Sequence, residues 1–147
     1  MHLLFMRVTV ALGFALAAAT ASLNAHASPL SPAEEEAVLK VVVSQLQAFA
    51  EDDADRAFEA ATPGVREAIG NSDRFLAMVR GSYPMVYRPA TVTLLKPQED
   101  GGLVLQMVQI TDRNDRSWIA LYTMERQPDS SWRISGCTVA ENHWRSA

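Results

Sequence analysis

The texture of this chain changes once, at Pro84, and that change limits the folds open to it. Before Pro84 the apolar residues recur at helical spacing, with capping residues, prolines and glycines cutting the pattern into pieces. After it come short β-branched and apolar runs separated by turn-rich segments. Helices followed by an antiparallel meander make an α+β domain, with the helices on one face of a sheet.

Ser31-Pro32-Ala33-Glu34 starts the first helix. Ser31 caps, Pro32 takes the first helical position and Glu34 closes a capping box. Leu39, Val42, Leu46 and Phe49 then make one buried stripe, and the helix is expected to end near Glu51-Asp52-Asp53. Asp53 to Ala61 carries Phe58. Thr62-Pro63 opens Gly64 to Ile69, with Val65 and Ile69 turned inward, and Gly70 stops that piece. Ser72 caps Asp73 to Arg80, with Phe75, Met78 and Val79 inside, and Gly81 ends it. Four strands are expected: Thr91 to Leu95, Leu103 to Thr111, Ser117 to Arg126, and Trp132 to Val139. In the third of these, Trp118, Ala120, Tyr122 and Met124 alternate with Ile119 and Leu121, so both faces are apolar. A sheet wet on one side alternates more cleanly. The second face is therefore either covered or meets a partner subunit.

The first 27 residues read as a bacterial-style secretory signal peptide. Arg7 precedes an apolar run from Val8 to Ala21, and Ala25-His26-Ala27 supplies a cleavage pattern before Ser28. An uncleaved membrane anchor is the alternative, because the run nearly reaches across a bilayer. Cleavage leaves about 120 residues, a single domain from 28 to 147 with its core at 32–139 and a short tail at 140–147. The expected location is periplasmic or secreted, with no stable membrane anchor afterwards. Without Arg7, 12 basic residues face 17 acidic ones, a net charge of −5. Such a chain is a poor partner for nucleic acid, where affinity rests on neutralising phosphates.

Cys137 is the one cysteine. In an oxidising compartment it has no internal disulfide partner, so packing alone holds the domain. A reactive thiol needs a cation, a helix N-terminus or a base beside it. By strand alternation Cys137 shares a face with Arg133, Ser135 and Val139, and His143 lies in the tail. Cys137 is therefore expected to be a buried, structural thiol.

The segments Arg74-Phe75-Leu76-Ala77-Met78-Val79, Val86-Tyr87-Arg88-Pro89 and Trp132-Arg133-Ile134-Ser135-Gly136-Cys137 together resemble a bacterial family known as domain of unknown function 4864. The resemblance runs from about Val38 to Val139 and brings no activity with it. In its order of elements the chain is also similar to the nuclear transport factor 2-like (SnoaL-like, cystatin-like) group, which implies a cone of helices on a curved four-stranded sheet. That group includes ketosteroid isomerases, polyketide cyclases, binding modules and dimerisation domains. The resemblance implies a cavity between helices and sheet, the usual place for a ligand.

Tyr83, Tyr87 and Arg88 on the link between helices and sheet, with Trp118 and Tyr122 on one strand face, are the candidate ligand-binding residues. Tyrosine hydroxyls and a guanidinium at an apolar mouth suit a carboxylate or carbonyl ligand. No catalytic set can be picked out. The acids Asp52, Asp53, Asp55, Asp112, Asp115 and Asp129 fall at helix starts and turns, while Glu59, Glu67 and Glu125 fit solvated faces. No metal is expected, since after loss of His2 and His26 with the signal peptide one histidine and one cysteine make no zinc constellation, and the acidic turns lack the calcium-loop pattern. No cofactor is expected either: there is no glycine-rich phosphate loop, and no nucleophile elbow occurs. The expectation is a non-catalytic domain that binds a small apolar ligand or a protein partner. Two alternatives stay open: an isomerase- or cyclase-like enzyme using Tyr83, Tyr87 or Tyr122, and a module that forms a homodimer through the outer sheet face.

Overall fold

A computed structural model describes residues 30–143. The expected signal peptide lies outside the described residues. Among the described residues five helices precede five strands, in the order α1 (Pro32–Ala50), α2 (Ala54–Glu59), α3 (Pro63–Ile69), α4 (Ser72–Ser82), α5 (Pro84–Tyr87), β1 (Thr91–Leu94), β2 (Gln98–Asp100), β3 (Leu103–Thr111), β4 (Ser117–Arg126) and β5 (Trp132–Glu141). The helices pack on one face of a curved antiparallel sheet, as the sequence predicts.

Local chemistry sets the helix boundaries. The Ser31 hydroxyl accepts from the Glu34 amide and the Glu34 carboxylate accepts from the Ser31 amide, both at 3.1 Å. This reciprocal pair satisfies two donors that a helix start leaves open. It also holds the Glu34 carboxyl below the ordinary carboxylate range. Thr62 caps α3 as expected, and Gly70, at φ 112°, closes it in a conformation side chains resist. Asn71, not Ser72, caps α4, which runs past Gly81 to Ser82. Immediately after it, Pro84 starts the short turn α5 where extended chain was expected. Proline tolerates a first helical position because its missing N–H has no partner there.

The buried stripe of α1 is Val38, Val42, Gln45, Leu46, Ala48 and Phe49, so Val38 takes the place expected for Leu39. Both lie within one turn of Val42, and the residue four back aligns better with the helix face than the residue three back. Phe49 and Phe58 each meet Phe75 of α4 in tilted ring contacts, at 5.6 and 5.7 Å between centroids. Below them the sheet offers Val104, Val108 and Ile110 from β3, Ala120, Tyr122 and Met124 from β4, and Trp132 and Ile134 from β5.

The sheet runs β1-β3-β4-β5, with β2 also paired to β3. The four expected strands are thus joined by an unexpected fifth, β2, which follows β1 along the same edge after a break. Thr91–Leu94 pairs with Val108–Thr111, and Gln98–Asp100 pairs with Leu103–Leu105. Pro97, which lacks an N–H, sits in the break. The buried amide of Gln106 bridges it, donating from Nε2 to the Leu95 carbonyl at 2.6 Å. At the other side β5 runs two residues beyond the expected Val139, to Glu141.

Strand β5 holds the irregularity that matters most. Thr123 pairs with Gly136 while Met124 pairs with Ile134, so Ser135 is an extra residue, a β-bulge. The Ser135 hydroxyl donates back to the Thr123 carbonyl at 3.2 Å and lies 3.1 Å from the Thr123 hydroxyl. Beside the bulge the α2–α3 linker docks on the strand. The Thr62 N–H donates to the Ile134 carbonyl (2.9 Å), and the Ile134 N–H donates to the Ala60 carbonyl (2.8 Å).

Register assigns Leu105, Met107, Ile119 and Leu121 to the outer face, opposite the face that carries Val104, Val108, Ala120 and Tyr122. All four are half-buried, and none packs against the core.

A Cβ added at Gly136 would meet the Thr123 hydroxyl at 2.9 Å. Gly136→Ala is expected to lower stability by about 1–3 kcal/mol, read as a fall in the denaturation midpoint. Removing the obstructing hydroxyl with Thr123→Ala should recover much of that loss in a double-mutant cycle. An unchanged midpoint in the single variant would mean that the bulge has room to spare.

Candidate functional site

Between the helical layer and the concave sheet lies a half-open cavity of about 200 Å³. Phe49 of α1, Phe75 and Val79 of α4, and Val86 of α5 form its helical side. Tyr122, Ile134, Cys137 and Val139 form its floor. Val65 and Ile69 reach it from α3, a helix that contributes no fully buried side chain. Met78 and Tyr83, which are 41% and 38% exposed, complete the lining. Met78 is expected to be inside, but Leu76 takes that core position and Met78 borders the cavity instead.

Polar chemistry in the cavity is sparse. Gln45 is buried and its Nε2 donates to the Ala57 carbonyl at 3.1 Å. Tyr122 is 1% exposed, and its hydroxyl makes no hydrogen bond. Burial pushes this phenol well above its usual pKa, and the neighbouring Cys137 thiol adds to the rise. Cys137 is the direct cross-strand partner of Tyr122, yet the two do not reach hydrogen-bonding geometry.

The bulge decides the surroundings of Cys137. Strict alternation places Arg133 on its face; the extra residue at Ser135 breaks the alternation and moves Arg133 to the opposite one. The Arg133 guanidinium instead donates to the Glu59 carbonyl at 2.6 Å. Cys137 itself is exposed, not buried as expected, because it opens onto the cavity and does not pack in the core. Water can reach the residue through the cavity while protein crowds the sulfur. That crowding pushes the thiol up to about 12, against a weaker lowering by Tyr122.

The five residues expected as one ligand site occupy three places. Tyr83 and Tyr122 both line the cavity. Tyr87 and Arg88 lie at the C-terminal end of α1. There the Tyr87 hydroxyl donates to Asp52 at 2.5 Å and Arg88 pairs with the same carboxylate at 3.0 Å. The guanidiniums of Arg80 and Arg88 also lie over the Tyr87 ring, at 5.5 and 4.7 Å from its centroid. Donation from Tyr87, with the two arginines nearby, holds the Asp52 carboxyl below the ordinary range. The turn of α5 causes this separation, burying Val86 and carrying Tyr87 past it toward α1. Trp118 shares a sheet face with Tyr122 but stands four residues away, about 13 Å along a strand. Its Nε1 donates to Asp112 at 2.8 Å in the β3–β4 loop, and Arg116 lies over its ring. A second, more open groove is lined by Val43, Leu46, Val92 and Leu94, with Arg88 and Arg113 at its margin.

Among the described residues no group of three or more histidine, cysteine, aspartate or glutamate side chains is placed to hold a metal ion. Local pattern in the sequence does not by itself point to Gln45 as a cavity residue or to the bulge at Ser135. A glutamine four residues ahead of Phe49 on the apolar stripe is the one available sign of the first.

The model of the family described as "Domain of unknown function (DUF4864)" matches residues 31–147. The chain belongs to this family. No curated protein matches the sequence. Two solved structures share the architecture. One is an NTF-2-like protein of unknown function from Silicibacter pomeroyi DSS-3, with a TM-score of 0.51 at 19% identity, covering 77% of this chain and all of the other. The second is a protein of unknown function with a cystatin-like fold from Nostoc punctiforme PCC 73102, with a TM-score of 0.53 at 8% identity, covering 80% of this chain and 97% of the other. At these identities the likeness is one of fold.

The raised Cys137 pKa has a kinetic signature. Alkylation of the native protein should climb with pH through 9 without levelling, because the thiolate is still scarce there. At pH 8 unfolding should speed labelling roughly tens of fold, once the greater nucleophilicity of the high-pKa thiolate is allowed for. A plateau near pH 9 would mean an ordinary, solvated thiol.

Proposed function

We propose that this chain is a periplasmic or secreted, non-catalytic binding domain whose helix–sheet cavity holds a small, partly apolar ligand. The observation that carries the reading is the cavity itself: about 200 Å³, walled by aromatic and aliphatic side chains, with one buried hydroxyl left without a partner. Concave, mostly apolar sites with few polar groups are where proteins hold small molecules. Proton-transfer chemistry needs a group that titrates near the working pH. The Tyr122 phenol and the Cys137 thiol are both pushed away from that range, and no carboxylate or imidazole lines the cavity. The isomerase-like alternative therefore has no proton acceptor there.

A ligand present at 100 times its dissociation constant stabilises a domain by about 2.7 kcal/mol. For a domain of this size that is a rise in Tm of roughly 10 °C. Native mass spectrometry of protein taken from its own host should show a retained small molecule, and its addition to ligand-free protein should produce the Tm rise. Val65→Trp, on the helix that buries no side chain, should fill the cavity and abolish the rise while leaving the fold intact. Turnover of any substrate by the purified domain would overturn the non-catalytic reading.

The outer sheet face favours a second reading, a homodimer. Met107 stands opposite Leu121, and Leu105 and Ile119 flank them, giving a contiguous apolar patch outside the core. Light scattering is then expected to give a dimer, and the paired change Ile119→Lys and Leu121→Lys a folded monomer. A monomer at high concentration of the unaltered chain would remove this reading.

A further inference from the structure

We infer that the free edge of β1 takes the C-terminal end of an apolar peptide as an added antiparallel strand, with the terminal carboxylate against Arg113. This site is separate from the cavity, and the inference goes beyond the binding reading above.

The backbone supplies donors and acceptors. Strand β1 ends the order β1-β3-β4-β5, and β3 is its one partner. The Leu95 N–H donates to the carbonyl of Met107, directly across the ladder. By antiparallel alternation Thr91 and Thr93 also direct their N–H and C=O groups to β3, while Val92 and Leu94 turn theirs to the open edge. The opposite edge of the sheet is closed at Ile134 by the α2–α3 linker. Strand β1 has no such cover among the described residues, and an uncovered edge invites another strand. Pro89 and Pro97 stand on either side of β1 and limit the addition to a few residues.

Side chains supply the pocket. Val92 and Leu94, with Val43, Leu46 and Ala50 of α1, line the open groove, about 620 Å³ in volume. Val43 and Val92 are exposed hydrophobic side chains. Residues directly opposite in an antiparallel pair share a face. The added residues opposite Leu94 and Val92, two positions apart, therefore place their side chains in this groove.

Direction and charge come from Arg113. It borders the groove beside Arg88 and Pro89, at the end where β1 begins. Its Nε donates to the Arg88 carbonyl at 3.4 Å, and it pairs with no carboxylate among the described residues. Arg88, by contrast, is engaged with Asp52. An antiparallel added strand brings its C-terminus to this end, where the guanidinium favours a carboxylate. A second copy adding through its own β1 would bring Lys96 there, so charge favours a peptide over a second copy.

The probe is the N-acetylated peptide Ser-Val-Thr-Ile, with its Val opposite Leu94 and its Ile opposite Val92, and binding to the purified protein is followed by NMR. It should shift the Val92 and Leu94 amide signals and slow their exchange with water. Amidating the C-terminus, or Arg113→Gln in the protein, should weaken binding about threefold to fivefold, and both together no further than either alone. N-methylation of the peptide's Val, whose N–H meets the edge, should abolish binding, whereas N-methylation of its Thr, whose N–H points away, should not. Equal loss from the two N-methylations would overturn strand addition. An amide that binds as tightly as the acid would overturn the carboxylate contact at Arg113. No binding by the free acid at millimolar concentration would overturn the whole inference and leave the cavity reading untouched. Val92→Pro removes one edge donor at a position where proline is tolerated. A dimer of the unaltered protein that this change dissociates would give the edge to a second copy and overturn the peptide.

Discussion

Strand β5 carries one more residue than its partner between Ile134 and Gly136, and much of the molecule is arranged around that surplus. A bulge bends a strand and increases its twist, so the sheet curves beneath the helices where the cavity lies. It also shifts the alternation of β5, so that Ile134 and Cys137, three residues apart, both face the helices. The same site receives the α2–α3 linker through the two hydrogen bonds between Ala60, Thr62 and Ile134. Gly136 is required there by the closeness of the Thr123 hydroxyl. Curvature, the facing of the thiol and the docking of the helical layer thus share one local cause.

The core around the cavity is ordinary in chemistry: valines and phenylalanines from α1 and α4 over valines and isoleucines of the sheet. What stands apart is the row across the sheet floor formed by Gln106, Tyr122 and Cys137, each the cross-strand neighbour of the next. Gln106 serves the fold, bridging the break at Pro97. Tyr122 serves no partner in the chain, and leaving a buried hydroxyl unsatisfied costs about 1–3 kcal/mol. Cys137 is held neutral beside it. The Gln106 Oε1 beside Tyr122 is likewise buried without a hydrogen-bond partner.

Much of the architecture was legible in the residues. The capping box at Ser31, the Thr62-Pro63 start and the Gly70 stop each act over three or four residues, and each lies where the sequence places it. The four expected strands were equally plain, and only the short β2 was not. The candidate site was less so. Tyr83 and Tyr122 do meet at the cavity, but Tyr87 and Arg88 bind Asp52 and Trp118 binds Asp112. Those outcomes depend on where α5 turns and how far apart strand residues stand, and local pattern carries neither.

The sequence alone determined the order of helices and strands and the family, because capping and periodicity act over a few residues. Tertiary structure alone decided which aromatic residues share a cavity, which face Cys137 takes and whether Arg133 stands beside it. The reason is physical: a single inserted residue reverses a period-two pattern without any signature of its own, and a hydroxyl is orphaned only by the neighbours that fold around it.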